Sequence, residues 1–446
     1  MISRASAQTL VTVAALLFAL CLLVLPVATD DARGLETERF VPGQIVVKLA
    51  PKATIAQVNA RYGTQVQERF LDIENTNIFL LRITDGSSTL DKVAEITGDP
   101  LVRYVELNYL SGVPEADDEA DASARHRAFP VDDATPTTHN YSSKDSPYPD
   151  SALNLTDARR ISQGANTTVA VLDTGAQLDH PALKARFNGV PRYDFVDDDS
   201  TPSEPQLATD EEQLSREVVG HGTHVAGIVN LVAPKANLMP LRVLDREGYG
   251  SVFHVAEAVT FADGNGADVI NLSLGAPSWS RLLREKVEEA IGHGAVVVAA
   301  AGNYGSPQPQ YPAGNRVPLP SAVDGLLAVT SVDPVEAKSD FANYGTWVDI
   351  AAPGEEILST YPVSRYAYWS GTSMATPFVA GEAALIHSVD GPLDPAGVEL
   401  RIRSSARCIN DKNPAIYTGM LGAGHSDIGG ALAGVPGRRC PLLPST

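Results

Sequence analysis

The stretch TVAVLDTG (168–175) decides how this chain is read. Val169 to Leu172 form an unbroken apolar run, the mark of a strand covered on both faces within a parallel sheet. The run ends in Asp173, and Thr174-Gly175 permit a tight exit. In open parallel sheets the C-terminal strand ends are where reactive groups gather. LMPLRVL (238–244), ADVINLSL (267–274), AVVVAAA (295–301) and LLAVTSV (326–332) have the same character. Helical patterns lie between them. In SRLLREKVEEAIGHG (280–294), Leu283, Val287, Ala290 and Ile291 share a face, and Gly292 and Gly294 close it. The pattern predicts one α/β domain over 151–435.

Two further segments add chemistry. GHGTHVAG (220–227) offers His221, and SGTSMATP (370–377) offers Ser373 at the start of a helical run. A serine alcohol is a weak nucleophile at neutral pH. It needs a base to take its proton and a third group to fix that base's tautomer. Taken singly, Asp173 reads as a turn or capping residue, His221 as a satisfied polar residue and Ser373 as an N-cap. Their conjunction is harder to explain that way. Backbone N–H groups at a helix start can also stabilise a developing oxyanion. Asn303, following a glycine at the end of a buried strand, offers a second donor; alone it would be a turn former. His221 and His224 lie three apart, but no third metal ligand is positioned nearby, so no metal site is expected there.

Outside this region the chain divides clearly. Arg4 followed by the uncharged run Leu10 to Ala28 reads as a signal peptide over 1–29, with an uncleaved anchor as the alternative. Residues 39–113 alternate as β-α-β-β-α-β, a small α+β ferredoxin-like unit. Its helices are TIAQVNARYG (54–63) and STLDKVAEITG (88–98), the latter with Leu90, Val93 and Ile96 on one face. An acidic linker over 114–150, opening with PEADDEADAS, is too polar to bury a core and is expected to be open to cleavage. A tail, 436–446, closes the chain. Thirty-four basic against 54 acidic residues give a net charge of −20. Nucleic acid and anionic membranes are therefore poor partners. Cys408 and Cys440, the two cysteines beyond the signal, suggest a disulfide in an exported protein. Asn140, Asn154 and Asn166 begin glycosylation sequons.

The three segments, in the order Asp-His-Ser, resemble the signature motifs of the subtilisin-like (subtilase) serine proteases. FANYGTWVDIAAPG (341–354) and LGAGHSDI (421–428) read like further family segments. The resemblance implies a three-layer fold with a mostly parallel seven-stranded sheet, and peptide-bond hydrolysis through an acyl-enzyme. Asp173, His221 and Ser373 would be catalytic and Asn303 the oxyanion residue. Ser273, Leu274 and Gly275 in VINLSLG, facing Gly248 and Gly250 in REGYGSV, would pair with an extended peptide. Gln310 would lie at the floor of the primary specificity pocket. The 39–113 unit resembles the family's propeptide, an intramolecular inhibitor, with YVELNY (104–109) as the closest match. Together these imply a self-processed zymogen, secreted or periplasmic, acting on protein substrates as a monomer.

The chemistry requires no cofactor, and a structural calcium stays open although the family's common site is not matched. The segment IVNLVAPKANLMPLRV is too short for the family's common calcium loop, and Ala182 stands where the family has a ligating Asp. The acidic stretch 195–213 is read as a solvated loop. Two alternatives remain at this stage: an inactive binding protein on the same fold, and another acyl-transfer hydrolase such as an esterase.

Overall fold

The computed structural model describes residues 39–71, 77–116, 129–130, 147–207, 218–316, 325–390, 393–437 and 440. The expected signal, most of the linker and the sequon at Asn140 lie outside the described residues. Among the described residues no helix is long and apolar enough to cross a membrane.

The N-terminal unit runs β1 (Phe40–Leu49), α1 (Ile55–Tyr62), β2 (Thr64–Arg69), β3 (Ile78–Ile83), α2 (Thr89–Ile96) and β4 (Val102–Gly112). Its strands pair antiparallel in the order β2-β3-β1-β4. Ile45, Val47, Phe79 and Leu81 point to one face and pack with Val58 and Tyr62 of α1 and Ile96 of α2. α1 ends where Gly63 adopts φ 60°.

The phase of α2 differs from the expected one. Thr89, Lys92 and Ile96 are buried, whereas Leu90 is 56% exposed. Lys92 can lie inside because its ammonium group is fully engaged. It donates to the Tyr62 carbonyl at 2.8 Å, Asp85 at 2.7 Å and Glu95 at 2.6 Å. A buried ammonium is tolerated only when so paired.

The large unit contains a seven-stranded sheet: β6 (Thr168–Asp173), β7 (Tyr193–Asp194), β8 (Asn237–Arg242), β10 (Val269–Leu272), β11 (Val296–Ala300), β12 (Leu326–Val332) and β13 (Ile350–Pro353). The order is β13-β12-β11-β10-β6-β8-β7 and every pairing is parallel. β6 therefore sits between β8 and β10, where the winding reverses, and Asp173 lies at the crevice this creates. The fold is the three-layer α/β architecture.

Four helices matter for the site: α3 (His221–Val232), α4 (Val252–Gly264), α5 (Arg281–His293) and α6 (Thr372–Asp390). α3 and α6 pack together, and α6 lies across β10 to β13; α4 and α5 form a second pair. A hairpin of β14 (Ile357–Tyr361) and β15 (Arg365–Trp369) had no clear sequence signal. β5 (Phe129–Pro130), inside the expected linker, pairs with its edge. Cys408 and Cys440 are disulfide-bonded, with Cα atoms 4.7 Å apart.

Candidate active site

Each of the expected residues arrives on a rigid element end. Asp173 closes β6, His221 opens α3 and Ser373 sits in the first turn of α6, all fully buried. His221 Nδ1 lies 2.7 Å from Asp173 Oδ1, and Thr174 N–H donates to the same oxygen at 2.8 Å. This closeness depends on Gly222. A Cβ there would sit 2.1 Å from the Gly175 carbonyl oxygen and 3.0 Å from the Asp173 Cβ. The glycine after the histidine thus sets how near helix and strand end can come.

Pro377 has a comparable explanation. Lacking an N–H, it leaves the Ser373 carbonyl without its helical donor. Ser273 Oγ donates to that carbonyl at 2.9 Å, tying the start of α6 to the strand segment 273–275. Asn303 is held the same way. Its Oδ1 accepts from Thr372 N–H at 3.0 Å and Thr372 Oγ1 at 2.8 Å, which fixes the direction of its NH2.

Sequence reasoning missed the residue at the centre of this arrangement. Glu115 is buried, its carboxylate inserted among the three groups. Ser373 Oγ donates to Glu115 Oε2 at 2.8 Å, Asn303 Nδ2 donates to Glu115 Oε1 at 2.9 Å, and His221 Nε2 stands 3.4 Å from Glu115 Oε2. Gly371 leaves the room: a Cβ there would meet Glu115 Oε1 at 1.7 Å. Burial disfavours a charged His221 ring, but Asp173 and then Glu115 outweigh it and raise its pKa to about 10.

Glu115 arrives because β4 continues past the N-terminal unit. Leu110, Ser111 and Gly112 pair antiparallel with β9 (Tyr249–Ser251). On the other side, Gly112 and Gly275 exchange N–H to carbonyl bonds, both 2.9 Å, and Val113 N–H donates to Gly248 O at 3.0 Å. Both edges expected to grip a peptide therefore grip the chain's own residues 111–113. Gly248 allows the approach on its side, where a Cβ would lie 2.8 Å from Val113 Cγ2; at Gly250 a Cβ would instead meet the Val243 carbonyl of the catalytic domain at 2.0 Å. The linker expected from 114 is corrected accordingly: Pro114 and Glu115 are buried in a single 3-10 turn, Pro114–Ala116. Composition assigns Glu115 to solvent, and the β4 register places it inside.

The remaining residues fall as follows. Leu274 and Ser273 are fully buried beside this groove, and Gln310 is buried against Gly275 and Gly302. His224 is not part of the cluster. Its Nε2 sits 3.0 Å from both the Ile357 and Ala367 carbonyls, and burial lowers its pKa to about 3. Trp369, also missed, packs edge-on against His221 with centroids 5.3 Å apart.

The 195–213 stretch is only partly the solvated loop expected. Asp194 and Asp197 hold Arg242 at 2.8 and 2.5 Å. Glu204 accepts from Gly220 N–H, Thr223 N–H and Thr174 Oγ1 at 2.9, 2.8 and 3.1 Å, clamping the start of α3 to the end of β6. Residues 208–213 lie outside the described residues.

The subtilase family profile matches residues 164–424. The chain belongs to the subtilase family. A second profile, the fervidolysin N-terminal prodomain, matches residues 26–108. Thermitase of Thermoactinomyces vulgaris is 42% identical over 264 residues, which span 57% of this chain and 86% of thermitase. The thermophilic serine proteinase of Bacillus sp. (strain AK1) is 36% identical over 306 residues, 66% of each chain. The crystal structure of fervidolysin from Fervidobacterium pennivorans superposes with a TM-score of 0.68 at 22% identity, covering 92% of this chain and 63% of fervidolysin. The protein is thus a subtilisin-like serine endopeptidase with an N-terminal prodomain.

Proposed function

We propose that this subtilase is an exported zymogen in which Asp173, His221 and Ser373 cleave peptide bonds, and in which Glu115 holds the uncut chain inactive. The observation that carries the reading is the Glu115 carboxylate within hydrogen-bond reach of both Ser373 and Asn303.

In the open site, His221 Nε2 takes the Ser373 proton as Oγ attacks the substrate carbonyl. Asp173 holds the Nδ1–H and stabilises the imidazolium. The Asn303 amide and the Ser373 backbone N–H receive the oxyanion. His221 then gives its proton to the leaving amine, and water repeats the sequence on the acyl-enzyme. An extended peptide lies between 273–275 and 248–250 as residues 111–113 do now. Gln310 limits the depth of the primary pocket.

In the zymogen the carboxylate takes the oxyanion's place, accepts the Ser373 hydrogen bond and keeps His221 protonated. The turn at 114–116 presents a side chain, not a carbonyl, to Ser373. Self-cleavage then requires this turn to straighten.

Intact mass spectrometry of the secreted wild-type and Ser373→Ala proteins tests the reading. The wild type should lose the 39–113 unit and the variant should retain it. Identical processing of both would refute it, and would favour the inactive binding protein. Faster turnover of a simple ester with no cleavage of extended peptides would favour an esterase.

A further inference from the structure

Glu68, at the end of β2, faces His254 and Glu257 on α4 across the boundary between prodomain and catalytic domain. His254 and Glu257 are three apart and share one helix face. Their ligand atoms and that of Glu68 all lie within 4.8 Å of one another, with His254 Nε2 3.1 Å from Glu68 Oε2. Glu257 is buried and one of its oxygens is fixed by the Leu71 N–H at 2.7 Å. Its neighbours are firmly packed: Phe70 meets Phe253 edge-on at 5.4 Å. Glu68 and His254 are part-exposed, 40% and 28%, so the cluster has an open side.

Two carboxyl oxygens and an imidazole nitrogen converge here, one carboxyl group being buried. A divalent ion would satisfy both oxygens and the nitrogen together. One nitrogen and two oxygens suit a borderline ion such as Zn2+; Ca2+ and Mg2+ prefer oxygen alone. Ligand atoms about 2.0–2.2 Å from a tetrahedral ion stand about 3.3–3.6 Å apart, inside the 4.8 Å span of this cluster and close to the 3.1 Å between His254 Nε2 and Glu68 Oε2. Water can fill the fourth position from the open side.

We propose that Glu68, His254 and Glu257 form a zinc site that fastens the prodomain to the catalytic domain. Binding forms two metal–oxygen bonds and one metal–nitrogen bond and displaces water from the hydrated ion. The site has one ligand from the prodomain and two from the catalytic domain, so it is complete only while the two are docked. Zinc at 100 times its Kd would therefore tighten the prodomain's hold about 100-fold. This inference does not depend on the catalytic assignment, because Ser373→Ala leaves the site intact.

The test uses the full chain carrying Ser373→Ala, titrated with Zn2+ by calorimetry. One ion per chain should bind, and the melting temperature should rise. Added to that chain, His254→Ala and Glu68→Gln should each weaken binding at least tenfold; Glu68 is half-exposed, so its replacement leaves the fold intact. Co2+ in place of zinc should give visible absorption bands that His254→Ala removes. Failure to saturate at about 1 mM Zn2+ would overturn the proposal. So would binding indifferent to either substitution, or equal binding of Ca2+.

Discussion

Replacing Glu115 by Gln tests the inhibitory contact with little change of shape. In the zymogen the carboxylate accepts from Ser373 and Asn303 and stands against the His221 ring. Hydrogen bonds to a charged group contribute about 1.5–3 kcal/mol, against about 1 for neutral ones. The amide keeps one acceptor oxygen and turns an NH2 toward one of the two donors. Two weakened contacts then cost roughly 1–4 kcal/mol, and each 1.4 kcal/mol is about tenfold in rate when opening limits the reaction. The Glu115→Gln zymogen should therefore mature at least about fivefold faster, up to whatever later step becomes limiting.

The assay refolds each zymogen from denaturant and follows the uncut chain by intact mass over time. Labelling of Ser373 by a fluorophosphonate in the uncut form gives a second readout. His221 supplies a third. Its raised pKa means that the imidazolium's contribution is complete below about 6.5 and is lost as pH rises through about 10. Wild-type maturation should accelerate across that window, and Glu115→Gln should flatten the dependence. Maturation and labelling at wild-type rates in the variant would refute the reasoning.

Other perturbations give equally definite expectations. Asn303→Ala should lower kcat roughly 100- to 1000-fold with little change in KM, the range known for this donor in subtilisin itself; steady-state kinetics on a peptide checks it. Gly222→Ala forces a Cβ to within 2.1 Å of the Gly175 carbonyl. It should separate His221 from Asp173 and abolish peptidase activity; a variant with unchanged kcat would show that the contact is not needed. Buried Glu382 has a pKa raised to about 8 by burial, with one oxygen unpartnered among the described residues. Its contribution to stability is complete below about 4.5 and is lost as pH rises through about 8, so Glu382→Gln should raise Tm most at pH 8 and above. Replacing Cys408 by Ser opens a loop of sequence separation 32. It should cost about 2–4 kcal/mol in denaturant unfolding under oxidising conditions.

By itself the sequence determined the chemistry and most of the architecture. Apolar runs such as 168–173 and 326–332 coincide with β6 and β12, because a strand buried on both faces has no other composition open to it. The small residues around Asp173, His221 and Ser373 mark places where backbones must approach closely, a requirement written locally in the chain. Tertiary structure alone decided what depends on register. The phase of α2 turned on the partners gathered round the Lys92 ammonium, which come from elsewhere in the fold. Glu115 begins an acidic run that composition assigns to solvent. It enters the crevice because Gly112 pairs with Gly275, and a shift of one residue would turn the strand over. Glu68, His254 and Glu257 likewise meet only once prodomain and catalytic domain have docked, since local sequence records a residue's own environment but not its neighbour from another element.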